Sequence, residues 1–574
     1  MIFLKVMRPA LPVVFALFLI TGCDSNNPDQ QAFRISSEFP IDIEGGAPNA
    51  SYEEAARFAW QQFIALSWPA LPETRDMPDN DQVFGDSSFT GPLVWETYRH
   101  KVEIYPGQGD SPPGFFDDPD LAYGYDSLPP FYMYGDGEVL PCEGQEVPDS
   151  PALVNLDELT QIGLNYMFSG SSPSESDINN DPQLIRFLAK ANKTHYEYVV
   201  DPATSYWSHS DAYTNAVANF KAVSDGNGTP STLPGPVIDF PDGMVEIKGA
   251  FRELTDEELN SGRYHVTTVR YYEQDDADLN SACYRESEWG LVGLHIIHKT
   301  PSAPSFIFAT FEQADNLTDT NGSPVEDEDG NVINPFTANS TTPLLNYADG
   351  DPPTLDIIGE IFCETPGKRL YYEEVGPELF GVDSGLPYEG FICQNLRDRN
   401  IPGTVVDVNS LVHDAIADYN EENGLEDSPW LYYKLVNVQW QPFDISEIDS
   451  EDPEGPRGEA VFFLNNIVIE TDYTLQIFSG NIFFDSESSG PPSNLPPNFD
   501  NFDPERTTYQ NLLTFDDNGN LQNTYNMGGC QGCHGQAQLD GTDFSFILKQ
   551  GRVVDGPEAT GVTTPGATNP AITP

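Results

Sequence analysis

The stretch LVGLHIIH, residues 291–298, decides how this chain is read. It is a short apolar run rich in β-branched side chains, which is the composition of a strand. Three similar runs surround it: MVEIKGAF (244–251), YHVTTVRYY (264–272) and SFIFATF (305–311). Two of the four are apolar on both faces, which places them inside a sheet with both faces covered. Further along, LYYKLVNVQW (431–440), AVFFLNNIVIET (460–471) and YTLQIFSGNIFF (473–484) add more strands. Neighbouring residues of a strand point to opposite faces. His295 and His298, three apart, are therefore expected on opposite sides of the sheet.

Helical signals are fewer. Ser51-Tyr52-Glu53-Glu54 is a capping box, after which Ala56, Trp60, Phe63 and Ile64 recur at helical spacing as far as Pro69. Leu184–Ala191 reads as a short helix, and LVHDAIADY (411–419) as another with Asn409 or Ser410 as cap. Residues 70–180 are rich in Pro, Gly and Asp and read as loops. Asp517-Asn518-Gly519-Asn520 looks like a hairpin turn. The acidic run Asp327-Glu328-Asp329-Gly330-Asn331 lacks the twelfth-position Glu of a calcium loop and reads as another turn. The fold class expected is α+β, mainly β. A large antiparallel β-rich body carries a few helices, with a short C-terminal segment packed against it.

At 574 residues the chain exceeds one typical core, so two or more packing units are expected. Its 91 Asp and Glu against 26 Lys and Arg give a net charge of −65. Such a surface repels nucleic acid and anionic membranes and attracts cationic partners. The acidic residues are spread along the chain, as in a solvated coat.

One motif carries chemistry. GGCQGCHGQ, residues 528–536, contains Cys530-x-x-Cys533-His534. This is the pattern of c-type haem attachment. Two thiols three residues apart can reach the two vinyl groups of one haem, and the adjacent histidine falls beneath the iron. A zinc half-site would need a second ligand pair, and His295-x-x-His298 is the only close one. A redox dithiol would need a surrounding βαβ pattern, which is absent.

The segment resembles c-type cytochromes, and the whole chain is similar in kind to large bacterial monohaem members of that group. The resemblance covers about 15 residues. It implies one covalent haem c, with Cys530 and Cys533 as thioether anchors and His534 as proximal iron ligand. It departs from the family's usual plan, because only 40 residues follow His534 and none is methionine or histidine. The β-rich body must therefore supply the haem's walls and any sixth ligand. Donors are His100, His195, His209, His265, His295, His298, His413, Met77, Met133, Met167 and Met244, with His295 or His298 the favoured distal candidates. DFSFIL (543–548) is expected to pack on the haem.

The N-terminus has a basic start at Lys5 and Arg8, an apolar stretch from Leu11 to Ile20, and then Ile20-Thr21-Gly22-Cys23. This is similar to a bacterial lipoprotein signal, which implies cleavage before Cys23 and lipidation of it. An ordinary signal peptide is the alternative. Either implies export, to the periplasmic face of the inner or outer membrane or to the cell surface. In an oxidising compartment Cys142, Cys283, Cys363 and Cys393 suggest two disulfides, with three pairings open.

The organisation expected is a signal peptide over 1–22, a polar tether over 23–50, the β-rich body over 51–490, a haem c segment over 491–556 and a disordered tail over 557–574. Three functions compete. The first is electron transfer to a redox partner protein. The second is a peroxidase-like or oxygenase-like haem enzyme with an open distal site. The third is a non-enzymatic surface binding module carrying a haem.

Overall fold

The structure is a computed structural model. It describes residues 32–105, 111–117, 140–148, 152–156, 166–167, 185–208, 210–224, 233–275, 278–317, 323–334, 371–372, 392–393, 400–425, 428–441, 466–469, 511–515, 521–526 and 529–551.

Fourteen strands are described, in three sheets. The large sheet holds β1 (Arg99–His100), β2 (Leu140–Pro141), β3 (Val154–Asn155), β5 (Arg186–Ala191), β6 (Val245–Glu253), β7 (Val266–Asp275), β8 (Asp278–Thr300), β9 (Ala303–Gln313) and β12 (Tyr433–Gln439). A small sheet joins β4 (Tyr166–Met167), β10 (Tyr371–Tyr372) and β11 (Ile392–Cys393), and β13 (Asn511–Phe515) pairs antiparallel with β14 (Leu521–Asn526). The protein is thus mainly β, as expected. Its large sheet is mixed, because β2 and β3 pair in parallel with β8 and β7.

β8 is the spine of the sheet, and LVGLHIIH is its most enclosed part. β6 pairs with it from Val245↔His298 to Glu253↔Trp289, and β9 lies along the other edge from Gly293↔Glu312 to Thr300↔Ala303. Flanked on both edges, this run satisfies its backbone groups within the sheet. Both faces are then free to be apolar.

One face is covered by α1 (Tyr52–Leu66) and α6 (Gly403–Asn423), the other by α3 (Lys193–Val200), α4 (Asp211–Ser224), α7 (Gly529–Leu539) and α8 (Phe546–Gly551). Two short helices, α2 (Lys101–Ile104) and α5 (Asp256–Ser261), are also described. α1 begins with the expected capping box at Ser51 and Glu54. Its Trp60 indole donates to Asn409 Oδ1 (2.8 Å), and Asn409 Nδ2 donates to the Leu435 carbonyl (3.0 Å). One buried amide therefore ties α1, α6 and β12 together.

Several expectations are corrected. The expected helix Leu184–Ala191 is corrected: Leu184 lies outside the described residues, and Arg186–Ala191 is β5, paired residue by residue with β6 from Arg186↔Phe251 to Ala191↔Glu246. Its Leu, Ala and Lys are good helix formers, yet sheet pairing with every side chain buried outweighs that weak preference. The helix at 411–419 starts earlier, at Gly403 after Pro402, and Asn409 is a buried interior residue instead of its cap. The polar tether is corrected over its described part, residues 32–50, since Phe33, Ile43 and Ala47 are buried in the main core and Asp42 accepts from Thr300 and Ser302. Of AVFFLNNIVIET only 466–469 are described, and they form a turn. The acidic run closes as a turn as expected, with Asp327 N–H donating to the Asn331 carbonyl (2.9 Å) and Gly330 at φ +98°. Residues 1–31 (the signal and Cys23), YTLQIFSGNIFF, Asp517–Asn520 and the tail from 557 lie outside the described residues.

Candidate functional site

α7 carries the Cys-x-x-Cys-His motif. On an α-helix, positions three and four apart share a face. Cys530, Cys533 and His534 therefore lie on one side of α7, with Cys530 half-buried.

The residue between the cysteines fixes the helix to the sheet. Gln531 is fully buried. Its Nε2 donates to the Phe306 carbonyl (2.9 Å) and Ser305 Oγ (3.1 Å), and its backbone N–H donates to Gln439 Oε1 (2.9 Å). Phe306 is held at φ +65°. That left-handed conformation is costly for a bulky residue, by about 1–3 kcal/mol. The strained carbonyl is the one that meets Gln531.

After α7 the chain turns back over the same face. Gly541 adopts φ +86°, and a Cβ there would sit 3.0 Å from Val217 Cα, so only glycine fits without a shift. Asp543 Oδ2 accepts from the Phe240 N–H (3.0 Å) and Lys299 Nζ (2.9 Å). Lys299 is also bonded to Asp239. Ser545 caps α8 by accepting from the Leu548 N–H (3.0 Å) and donates to Glu246. Phe544, Ile547 and Leu548 enter the apolar cluster beneath, joined by Phe306, Phe308, Ile297 and Met244. Full burial of such side chains contributes about 1.5–3 kcal/mol each.

His534 sits at the centre of this turn. Its Nδ1 is 2.8 Å from the Phe544 carbonyl. A carbonyl only accepts, so Nδ1 carries the proton and Nε2 keeps its lone pair. The ring packs between Phe308 (4.7 Å) and Phe546 (4.8 Å). Burial pushes the imidazole down to about 4, against a partial opposing pull from the Phe544 carbonyl. At neutral pH it is an uncharged, oriented donor. A carbonyl on the other ring nitrogen is the usual arrangement for a metal-bound histidine. A half-buried thiol and a neutral imidazole with a fixed tautomer on one helix face fit a haem c. Cys530, Cys533 and His534 would hold it.

The sheet beneath is polar at one spot. Glu246 and Lys248 of β6 and His295 of β8 all act electrostatically on His534. Glu246 lies 3.2 Å from His195 Nδ1, whose ring stacks on Phe240 (4.7 Å) with Tyr105 Oη 3.5 Å from Nε2. Lys248 lies over the Phe187 ring at 5.0 Å.

The two histidines of LVGLHIIH are on opposite faces. His298 points to α1, with Nδ1 2.6 Å from Gln62 Nε2 and its ring against Phe58 and Phe39. Burial pushes it down to about 3. It cannot meet the face on which His534 sits, and is corrected as a distal candidate. Most other donors are also engaged elsewhere. His265 pairs with Glu96 (2.9 Å), His413 lies between Asp329 (2.7 Å) and the Tyr433 carbonyl (2.9 Å), and Met77 is exposed. His100 is buried near Lys190 and pushed down to about 3, first by desolvation. Met244 is fully buried in the cluster below α8. His209, Met133 and the Met167 side chain lie outside the described residues.

Cys142 and Cys283 form a disulfide, which selects one of the three pairings. Its consequence, pairing Cys363 with Cys393, falls outside the described side chains. Among the described residues no three His, Cys, Asp or Glu side chains group to hold a bare metal ion, and no helix is long and apolar enough to cross a membrane.

Sequence reasoning missed Gln531, the Lys299–Asp543 pair and Glu246. Gln531 occupies a position that the motif leaves open, so nothing in the pattern marks it. Lys299 directly follows His298 in the spine strand, but its partner is 244 residues away. The chain has no match among family profiles, curated proteins or solved structures.

Proposed function

We propose that this is an exported, lipid-anchored protein that holds one haem c covalently and transfers electrons to a redox partner protein. The observation that carries the reading is the His534 imidazole, neutral and fixed through Nδ1 by the Phe544 carbonyl, on the helix face it shares with Cys530 and Cys533. Electron transfer favours a ligand that does not move between redox states, and the Gln531 and Asp543 anchors restrain α7 from both ends. Burial around His534 keeps water out and lets the protein set the potential. The Cys142–Cys283 disulfide supports an oxidising compartment. The charge of −65 favours a cationic docking partner and disfavours nucleic acid.

The buried Glu246–His195 pair supports a second reading, a peroxidase-like or oxygenase-like haem enzyme. Such chemistry needs an acid/base group beside the iron. The optical spectrum of reduced protein, with and without carbon monoxide, separates the two. A low-spin spectrum that ignores carbon monoxide supports the carrier. A high-spin iron that binds carbon monoxide, together with peroxide or oxygen turnover, supports the enzyme.

A further inference from the structure

His295 stands on the rung Lys248↔His295↔Thr310, and the next rung on the same face is Glu246↔Ile297↔Phe308. Same-face neighbours along a strand lie about 7 Å apart. Phe308 of that neighbouring rung touches the His534 ring at 4.7 Å. His295 is thus one rung from the residue on which the His534 imidazole packs, on the face of β8 whose Ile297 packs with Phe544, Ile547 and Leu548.

Two other donors, His195 and Met244, lie on that face. His195 has Glu246 at one ring nitrogen and Tyr105 at the other. Met244 is a thioether in the same apolar cluster. His298, the other histidine of the strand, faces α1.

We propose that His295 is the second axial ligand of the haem iron, so that the iron is held between His534 on the C-terminal helix and His295 on the central strand. This rests on the haem c reading above. A rigid sheet ligand opposite a helix ligand would clamp the C-terminal segment to the body. It would also close the distal position to small ligands, which excludes the enzyme reading.

The test uses full-length protein matured with the haem-attachment machinery. Haem content by pyridine haemochrome is measured first, then electron paramagnetic resonance and near-infrared magnetic circular dichroism of the unmodified protein. Bis-imidazole signals with no carbon monoxide binding are expected. His295→Ala should retain one covalent haem per chain, become high-spin, bind carbon monoxide and return to low-spin when imidazole is added. His298→Ala should leave the spectra unchanged. Should His295→Ala fail to accumulate, the unmodified protein's near-infrared band still separates imidazole from thioether ligation. A thioether band lost in Met244→Ala, an open sixth position, or a low-spin spectrum unchanged in His295→Ala overturns the assignment while leaving the covalent haem standing. Absence of covalent haem from the unmodified protein removes the haem reading itself, and His295 with it.

Discussion

Replacing Gln531 by alanine tests whether the C-terminal segment is held as described. The side chain is fully buried and its Nε2 makes two hydrogen bonds, to the Phe306 carbonyl and to Ser305 Oγ. Alanine removes both and leaves the Phe306 carbonyl buried without its partner. Stranding a buried polar group costs about 1–3 kcal/mol, and each lost buried methylene adds about 0.8 kcal/mol. The backbone bond to Gln439 survives. Relaxation of Phe306 from its left-handed conformation recovers part of the cost. The net expectation is about 2–4 kcal/mol, felt locally in α7 and α8, because segments open in contiguous units. At about 1.4 kcal/mol per tenfold, amide exchange over 529–551 should speed up roughly 30- to 700-fold. Hydrogen-exchange mass spectrometry reads this directly, with the spine strand as an internal control. Exchange within about threefold of the unmodified protein would refute the anchoring role.

Three further outcomes follow from named contacts. Lys299→Met leaves Asp543 buried with only the Phe240 N–H, and breaking one partner of a buried pair costs about 3–5 kcal/mol; limited proteolysis should then cut within 529–551, and unchanged resistance would count against the pairing. The Cys142–Cys283 link closes a loop of 141 residues, for which chain entropy allows up to about 5 kcal/mol; reductant should lower the thermal midpoint of the unmodified protein more than that of the double serine variant, and an equal effect of reductant on both would contradict the pairing. His298 takes a proton near 6.5 when unfolded but only near 3 when folded, so between those values the unfolded chain binds more protons. Stability is therefore complete above about pH 6.5 and falls as the pH drops towards 3. His298→Asn should flatten that acid slope, and an unchanged slope would show that His298 titrates normally.

The parts of the fold that were legible are those where local pattern and tertiary role agree. LVGLHIIH reads as an interior strand because it is apolar on both faces, and in the structure it is paired on both edges and covered on both faces. Ser51 and Glu54 announce α1 because a capping box is a local interaction. Arg186–Ala191 reads as helix because its residues prefer helix weakly, while β1 and β6 claim its two edges and sequence shows neither neighbour. Phe33 and Ile43 sit among polar residues that look like a tether, and only the fold reveals the core they enter. At the site, the motif itself and the opposite facing of His295 and His298 were readable from spacing. The Gln531 clamp and the Asp543–Lys299 pair were not, since they join segments 225 and 244 residues apart.

The central claim is tested most directly by the mass of the tryptic or peptic fragment containing Cys530 and Cys533, taken from full-length protein expressed with the haem-attachment machinery. The account predicts a fragment heavier by one haem, which survives acid-acetone extraction and disappears in the Cys530→Ser, Cys533→Ser double variant. A fragment of unmodified mass, with either free thiols or a disulfide between the two cysteines, would contradict it.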